Sequence, residues 1–239
     1  YDYVTYGHLG KYRCPACGYS RPEPEIAVSE VAVTDAEHSE VVFDDGKKRI
    51  PATICLPGGY NIYNACAAMA AGKLLGLKEE TVAASLASFS CGFGRMEKFR
   101  IHDVDVRMIL IKNPAGCNQV LNYLTQLREP FTFVACLNDR AQDGVDVSWI
   151  WDVDFERLTA MGDQIASIDV SGRRAEDMAL RLKYAGFPTE RLRVNKDYKS
   201  LIENAVALGK PVYVMPTYTA MLALRGTISK AYGYKEFWE

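Results

Sequence analysis

From about Lys98 to the end of the chain, short apolar runs of strand type alternate with segments of helical pattern. No other feature of the 239 residues narrows the choice of fold so far. Strands are predicted at 106–111, 131–137, 164–170, 192–195 and 211–214, with helices between them. Parallel neighbours need a crossover, usually a helix, so the alternation specifies a mostly parallel sheet covered by helices, a Rossmann-like α/β domain. Phe131-Thr132-Phe133-Val134-Ala135-Cys136-Leu137 is apolar at nearly every position, as a strand buried on both faces requires. In such a sheet the functional residues sit at the C-terminal strand ends and in the loops that follow them.

The first part of the chain reads differently. Residues 1–24 are rich in Tyr, Gly, Cys and Pro and close on Arg21-Pro22-Glu23-Pro24, which reads as irregular structure running into a linker. Strand patterns follow at 26–33, 41–43 and 49–56, the last two joined by Asp44-Asp45-Gly46, and predict a small antiparallel meander. After Leu56-Pro57-Gly58-Gly59 an Ala-rich helix is predicted over 61–75, ended by Gly76 as its C-cap, and a second helix after Lys78. The length is enough for two folded units.

Composition excludes several classes of partner. Apolar residues make up 49% and charged residues 24%, the balance of a soluble globular protein. A net charge of -2 with both signs interspersed provides no field for a nucleic-acid backbone or an anionic lipid surface. No run of about 18 apolar residues is present, so no transmembrane segment is expected. Seven cysteines, odd in number and scattered, do not form a disulfide framework and suit a reducing compartment.

Three groups of residues carry candidate chemistry. In Cys14-Pro15-Ala16-Cys17-Gly18 two thiolates three residues apart can share one zinc ion, and the glycine relieves the tight turn. Tetrahedral zinc takes four ligands, so a second pair is expected upstream of Tyr1, or His8 supplies one; an unligated pair and a redox dithiol are the alternatives. The chain thus reads as a fragment opening inside a zinc ribbon. Asn61 and Asn64 stand three apart at a helix start, where amides and free N–H groups can meet a polar ligand, unless Asn61 merely caps the helix. Gly92-Phe93-Gly94-Arg95-Met96-Glu97 reads as a hinge carrying one cation, and Lys112-Asn113-Pro114 follows a predicted strand. Residues 138–154 hold Asp139, Asp143, Asp146, Asp152 and Asp154 beside Trp149 and Trp151, after the most apolar strand. Five carboxylates so close are mostly solvated, and the tryptophans are either core anchors or interface contacts. Segments 171–179 and 215–221 each leave a strand and open a helix, with Thr217 a candidate cap; both read as architecture. His38 and His102 read as surface residues.

Taken in order, Pro57-Gly58-Gly59-Tyr60-Asn61-Ile62-Tyr63-Asn64-Ala65, Gly94-Arg95-Met96-Glu97 and Lys112-Asn113-Pro114-Ala115-Gly116 resemble segments of the middle and C-terminal domains of the Mur ligases. With the cysteine knuckle in front and Asp146-Val147-Ser148-Trp149-Ile150-Trp151-Asp152 behind, the resemblance narrows to the MurT family, the ligase-like subunits of lipid II isoglutaminyl synthase. It covers essentially the whole chain. It implies the second half of a zinc ribbon at 1–24, the remainder of a Mur ligase middle domain at 25–97, and a Rossmann-like C-terminal domain at 98–239. The family's N-terminal part is missing, with its phosphate-binding loop, for no Gly-x-x-x-x-Gly-Lys-[Ser/Thr] occurs.

The resemblance also implies an activity: ATP- and Mg2+-dependent amidation of the D-glutamate α-carboxylate of the lipid II stem peptide to D-isoglutamine, through an acyl phosphate. Ammonia comes from a GatD-type glutamine amidotransferase partner. The work is done in the cytoplasm, at the inner face of the membrane. Asn61, Asn64, Arg95, Lys112 and Asn113 are the implied nucleotide contacts, and Cys14 and Cys17 the structural zinc ligands. An aspartate of the 139–154 stretch, Asp146 before Asp152, is expected to complete a Cys-His-Asp arrangement whose other members belong to the partner. An amino-acid-adding Mur-type ligase and a non-catalytic zinc-ribbon docking module are the competing expectations.

Overall fold

The structure, a computed structural model, describes residues 1–6, 9–34, 37–56, 58–89 and 95–235. It divides into two compact units, 1–90 and 91–239.

In the first unit the opening residues are more regular than their composition suggests. Strands β1 (Tyr3–Tyr6) and β2 (Leu9–Lys11) pair antiparallel, and an Arg13–Ser20 bridge brackets the Cys14–Gly18 turn. These short strands show no apolar alternation, because backbone pairing rather than burial defines them. Gly10 is required here: a Cβ would lie 2.2 Å from the Tyr3 carbonyl oxygen across the pair. The predicted meander follows as β3 (Ala27–Thr34), β4 (Ser39–Asp44) and β5 (Arg49–Ile54), in that spatial order and antiparallel throughout. Its tight turn is held by Asp44, which accepts from Gly46 N, and by Asp45, which accepts from the N–H groups of Lys47 and Lys48.

Helix α1 (Gly59–Leu74) ends as the sequence predicts. Gly76 has φ +77, its N–H reaches Lys73 O, and the Leu77 N–H reaches Gly72 O, the paired bonds of a Schellman motif. Helix α2 (Glu79–Ser88) follows. Val41, Phe43, Ile50, Ile54, Ile62, Ala65, Met69 and Val82 form this unit's core between the meander and the helices.

The second unit is a six-stranded sheet covered on both faces. Its strands are β6 (Arg95–Ile101), β7 (Val104–Ile109), β8 (Phe131–Cys136), β9 (Ile165–Ser171), β10 (Leu192–Val194) and β11 (Val212–Pro216), in the spatial order β10-β9-β8-β11-β7-β6. Five are parallel, and β6 alone runs antiparallel, beside β7. The helices are α3 (Pro114–Leu124), the one-turn α4 (Glu156–Thr159), α5 (Ala175–Tyr184), α6 (Tyr198–Val206) and α7 (Tyr218–Tyr232). Strand β8 alternates between two cores, Phe131, Phe133 and Ala135 on one face, Val134 and Cys136 on the other, which explains its unbroken apolar run.

Strand β6 corrects the sequence reading, which took residues up to Glu97 as hinge and linker. Lys98 and Arg100 alternate with buried Phe99 and Ile101, the signature of a half-buried edge strand. A bulge between Arg95 and Glu97, with Met96 at φ 61, breaks the period where the strand begins. Residues 92–94, Cys91 and His8 lie outside the described residues.

Candidate functional site

The C-terminal ends of β8, β9, β10 and β11 open onto one cleft of about 620 Å³. In a parallel sheet this is the edge where the strand order reverses and the chain leaves room for a ligand. Asn138 lines it after β8, Gly172 and Arg173 after β9, Lys196 and Tyr198 after β10, and Thr219 with Leu222 after β11. Arg140, Arg173 and Lys196 bring three cations to the mouth, and Leu222 and Ala223 give an apolar wall. Arg173 is paired with Asp139 at 2.8 Å and Lys196 with Glu176 at 2.7 Å. Tyr198 is half-buried, and burial pushes its phenol up to about 12, so it stays a neutral hydroxyl at any physiological pH.

Asn138 is the hub of this edge. Its buried backbone N–H donates to Thr217 Oγ1 at 2.9 Å, its Nδ2 donates to Thr219 Oγ1 at 2.9 Å, and its Oδ1 accepts from Arg173 N at 2.9 Å. One amide thereby ties the ends of β8, β9 and β11 together. Gly172 makes the approach possible: it sits at φ +92, and a Cβ there would fall 2.4 Å from the Leu137 carbonyl oxygen. Thr217 stands at the N-cap position of α7 but does not cap it, since its hydroxyl serves Asn138. The helix N-terminus is satisfied from outside, by Asp143, whose Oδ1 accepts from Thr219 N at 2.7 Å and Oδ2 from Thr219 Oγ1 at 2.5 Å.

The aspartate-rich loop leaves this hub, and its carboxylates have separate duties. Burial alone would raise the Asp139 pKa, yet Arg174 and Arg173 hold it below the usual carboxylate range. Asp143 is buried in the α7 cap. Asp154 pairs with Arg157 at 2.5 Å. Asp152 is exposed at the end of the 3-10 turn Ser148–Asp152. Asp146 is exposed but fixed: Oδ1 accepts from Ser148 N at 2.8 Å and Oδ2 from Ser148 Oγ at 2.9 Å. Those two bonds, the backbone one first, hold its carboxyl below the ordinary value, and no cation contributes.

The tryptophans divide between the two expected roles. Trp149 packs on the core, whereas Trp151 is half exposed over Arg181 and meets the Tyr184 ring edge-on at 5.7 Å. Arg181 is itself buried and donates to Ile150 O at 3.1 Å and Val153 O at 2.6 Å.

The remaining sequence-predicted residues are placed as follows. Asn61 is not the cap of α1, a position held by Gly58; it is buried in the first turn and accepts from Asn64 Nδ2 at 3.2 Å. Arg95 opens β6, and its side chain lies outside the described parts. Lys112 is exposed just beyond β7, and Asn113 caps α3 by accepting from Gly116 N at 2.8 Å. None of these lines the cleft. The cleft residues that sequence reasoning passed over as architecture are Gly172, Arg173 and Thr219, and Asn138 was read only as the start of the aspartate-rich stretch. Their signal was positional: each stands just after a predicted parallel strand.

Cys14 and Cys17 occupy a turn closed by Gly18 N–H to Cys14 O at 3.0 Å and Cys14 N–H to Tyr19 O at 2.7 Å, with Gly18 at φ +76. Backbone N–H groups of Cys17 and Ala16, then the Cys17 thiol, lower the Cys14 pKa, which favours the thiolate a metal requires. Among the described residues no group of three or more His, Cys, Asp and Glu side chains converges to hold a metal, so the zinc ribbon expected from the sequence is not seen as a complete site. Nor does any described helix have the length and apolarity to cross a membrane.

Comparison with solved structures defines the class. Folylpolyglutamate synthase of Mycobacterium tuberculosis, complexed with ADP and AMPPCP, superposes with a TM-score of 0.65 at 19% identity, covering 89% of this chain and 49% of that one. The UDP-N-acetylmuramate-alanine ligase MurC of Thermotoga maritima gives 0.64 at 14%, covering 88% and 46%. The fold is Mur ligase-like α/β.

Residues 110–221 match the family described as MurT ligase C-terminal. The lipid II isoglutaminyl synthase (glutamine-hydrolyzing) subunit MurT of Streptococcus pneumoniae is 35% identical over 228 residues, 94% of this chain and 49% of that protein. Across nearly its full length the chain is similar to curated MurT subunits, and the family match lies within that span. It spans about half the length of the curated relatives it matches.

Proposed function

We propose that this chain is part of a synthetase subunit that amidates the D-glutamate α-carboxylate of a lipid II stem peptide to D-isoglutamine, with ammonia from a GatD-type glutamine amidotransferase. The observation that carries the reading is Asp146, a carboxylate held ionised and rigid by Ser148 on an exposed loop, at the functional edge of a Mur ligase-like sheet. It does not line the cleft. It suits a histidine brought by another protein, which it would orient and stabilise as imidazolium. Asp152, exposed six residues on, is the second candidate.

A carboxylate is a poor electrophile. ATP supplies, when bound, the phosphoryl group that converts it to an acyl phosphate, with Mg2+ offsetting the charge. We assign nucleotide contacts to Asn61 and Asn64 in the first unit and to Arg95, Lys112 and Asn113 in the second. The paired amides at the start of α1 and the exposed Lys112 ammonium fit a polar, anionic ligand. The cleft, with three cations above an apolar wall, fits the carboxylates of a muramyl peptide, and with a lipid-linked substrate the work is done at the inner face of the membrane.

Cys14 and Cys17 are assigned to a structural zinc ion, of which two thiolates fill half a tetrahedron. The N–H groups aimed at Cys14 support this. Zinc content measured on the purified full-length protein is expected to fall in Cys14→Ser and Cys17→Ser, and unchanged metal in both removes the assignment.

The activity is tested with the full-length protein and its glutaminase partner. ATP- and glutamine-dependent conversion of the lipid II glutamate to isoglutamine, followed by mass spectrometry, is expected. Addition of an amino acid in place of ammonia would identify a conventional Mur-type ligase. Absence of nucleotide binding would leave a docking module.

A further inference from the structure

Asp143 is too well supported to be an incidental loop residue. It is the buried member of the five aspartates, at 6% exposure, and three donors converge on its carboxylate: Thr219 N at 2.7 Å, Thr219 Oγ1 at 2.5 Å and Arg140 N at 3.1 Å. A carboxylate is buried at a cost unless its lone pairs are satisfied, and here they are met by a helix N-terminus, a hydroxyl and the loop's own backbone. The Thr219 hydroxyl also accepts from Asn138 Nδ2, so a continuous chain of bonds runs Arg173 N, Asn138, Thr219, Asp143, Arg140 N. The loop carrying Asp146 is thus clamped at Asp143 to the ends of β8 and β9 and the start of α7, three residues before the carboxylate it presents. Downstream the loop is held again, where Arg181 binds the Ile150 and Val153 carbonyl oxygens.

We infer that Asp143 and Thr219 are positioning residues for the partner's glutaminase chemistry: the Asp143–Thr219 clamp sets where Asp146 stands, and so how well it orients a histidine of the docked partner. The inference rests on the proposed role of Asp146. It departs from the simpler view of Asp143 as a helix cap in predicting an effect on turnover without loss of fold. Positioning of this kind acts on the rate of a bound substrate, because a misplaced orienting group weakens the transition state and leaves glutamine binding alone.

The test uses full-length protein in complex with its glutaminase, with variants Asp143→Asn, Thr219→Val, Thr219→Ser and Asp146→Asn. Asp143→Asn and Thr219→Val are expected to lower glutaminase kcat by about tenfold or more, with KM for glutamine within about twofold, the complex intact and Tm close to wild type. Thr219→Ser keeps the hydroxyl and should restore the rate. If Asp146→Asn impairs the glutaminase while Asp143→Asn and Thr219→Val match wild type, the clamp has no positioning role. The inference is equally overturned if their losses follow weakened complex formation or lowered Tm, or if Thr219→Ser fails to rescue. A silent Asp146→Asn removes the proposed role of Asp146, and the inference with it.

Discussion

Asp146 and Ser148 form the smallest unit whose behaviour follows from geometry. Two hydrogen bonds to the carboxylate lower its pKa in the folded protein, so their contribution is complete above the unfolded value and is lost as pH falls through the folded one. Ser148→Ala removes the hydroxyl bond and raises the Asp146 pKa toward normal. On the proposed role of Asp146, the acid limb of the partner's glutaminase activity should therefore move to higher pH, read from a pH–rate profile, while Asp146→Asn should lower the activity across the whole range. Gly172 gives a second residue-scale prediction. At φ +92 and with the Leu137 carbonyl in the way of any Cβ, Gly172→Ala should destabilise the second unit by more than about 1 kcal/mol in urea unfolding.

Among the elements, the 3-10 turn Ser148–Asp152 is the one whose stability lies outside itself. It is a single turn too short to persist alone, and Arg181 from α5 donates to the carbonyl oxygen of Ile150 within it and of Val153 just beyond it while lying beneath the Trp151 and Phe155 rings. Arg181→Met keeps the apolar stem and removes the donors. Each carbonyl keeps a backbone donor, Val153 N for Ile150 O and Phe155 N for Val153 O, so a loss of about 1–3 kcal/mol in all is expected in denaturant melts, with hydrogen exchange accelerated first at residues 150–153. Strand β8 behaves in the opposite way, because both its faces are core. Phe133→Ala should cost about 3–5 kcal/mol, measured by chemical denaturation. Element types were legible from the sequence wherever burial imposed a period: the meander, both helices of the first unit, and all five parallel strands. Strand β6 was not, since its bulge at Met96 breaks the alternation and a glycine-rich stretch precedes it.

For the molecule as a whole, each unit has its own core, and the second has two, one on each sheet face. The segment 91–239 is therefore expected to unfold in one cooperative transition when produced alone, with coincident melting by far-UV and near-UV circular dichroism. Separate transitions by the two probes would show that its layers do not fold as one cooperative unit.

The sequence by itself determined the alternating α/β domain, the antiparallel meander and the paired cysteines. These follow from local physics: strand and helix periods, glycine at positive φ, and short-range spacing all operate within a few residues. Only the tertiary structure decided which side chains share a site. Asn138, Gly172, Arg173 and Thr219 are up to 81 residues apart in the chain and meet because parallel strands deliver their C-terminal ends to one edge. The same holds for the division of labour among the aspartates. Asp143 and Asp146 differ by three positions and carry the same side chain; one is buried against the start of α7 and the other exposed beside Ser148, a difference set by a helix far along the chain.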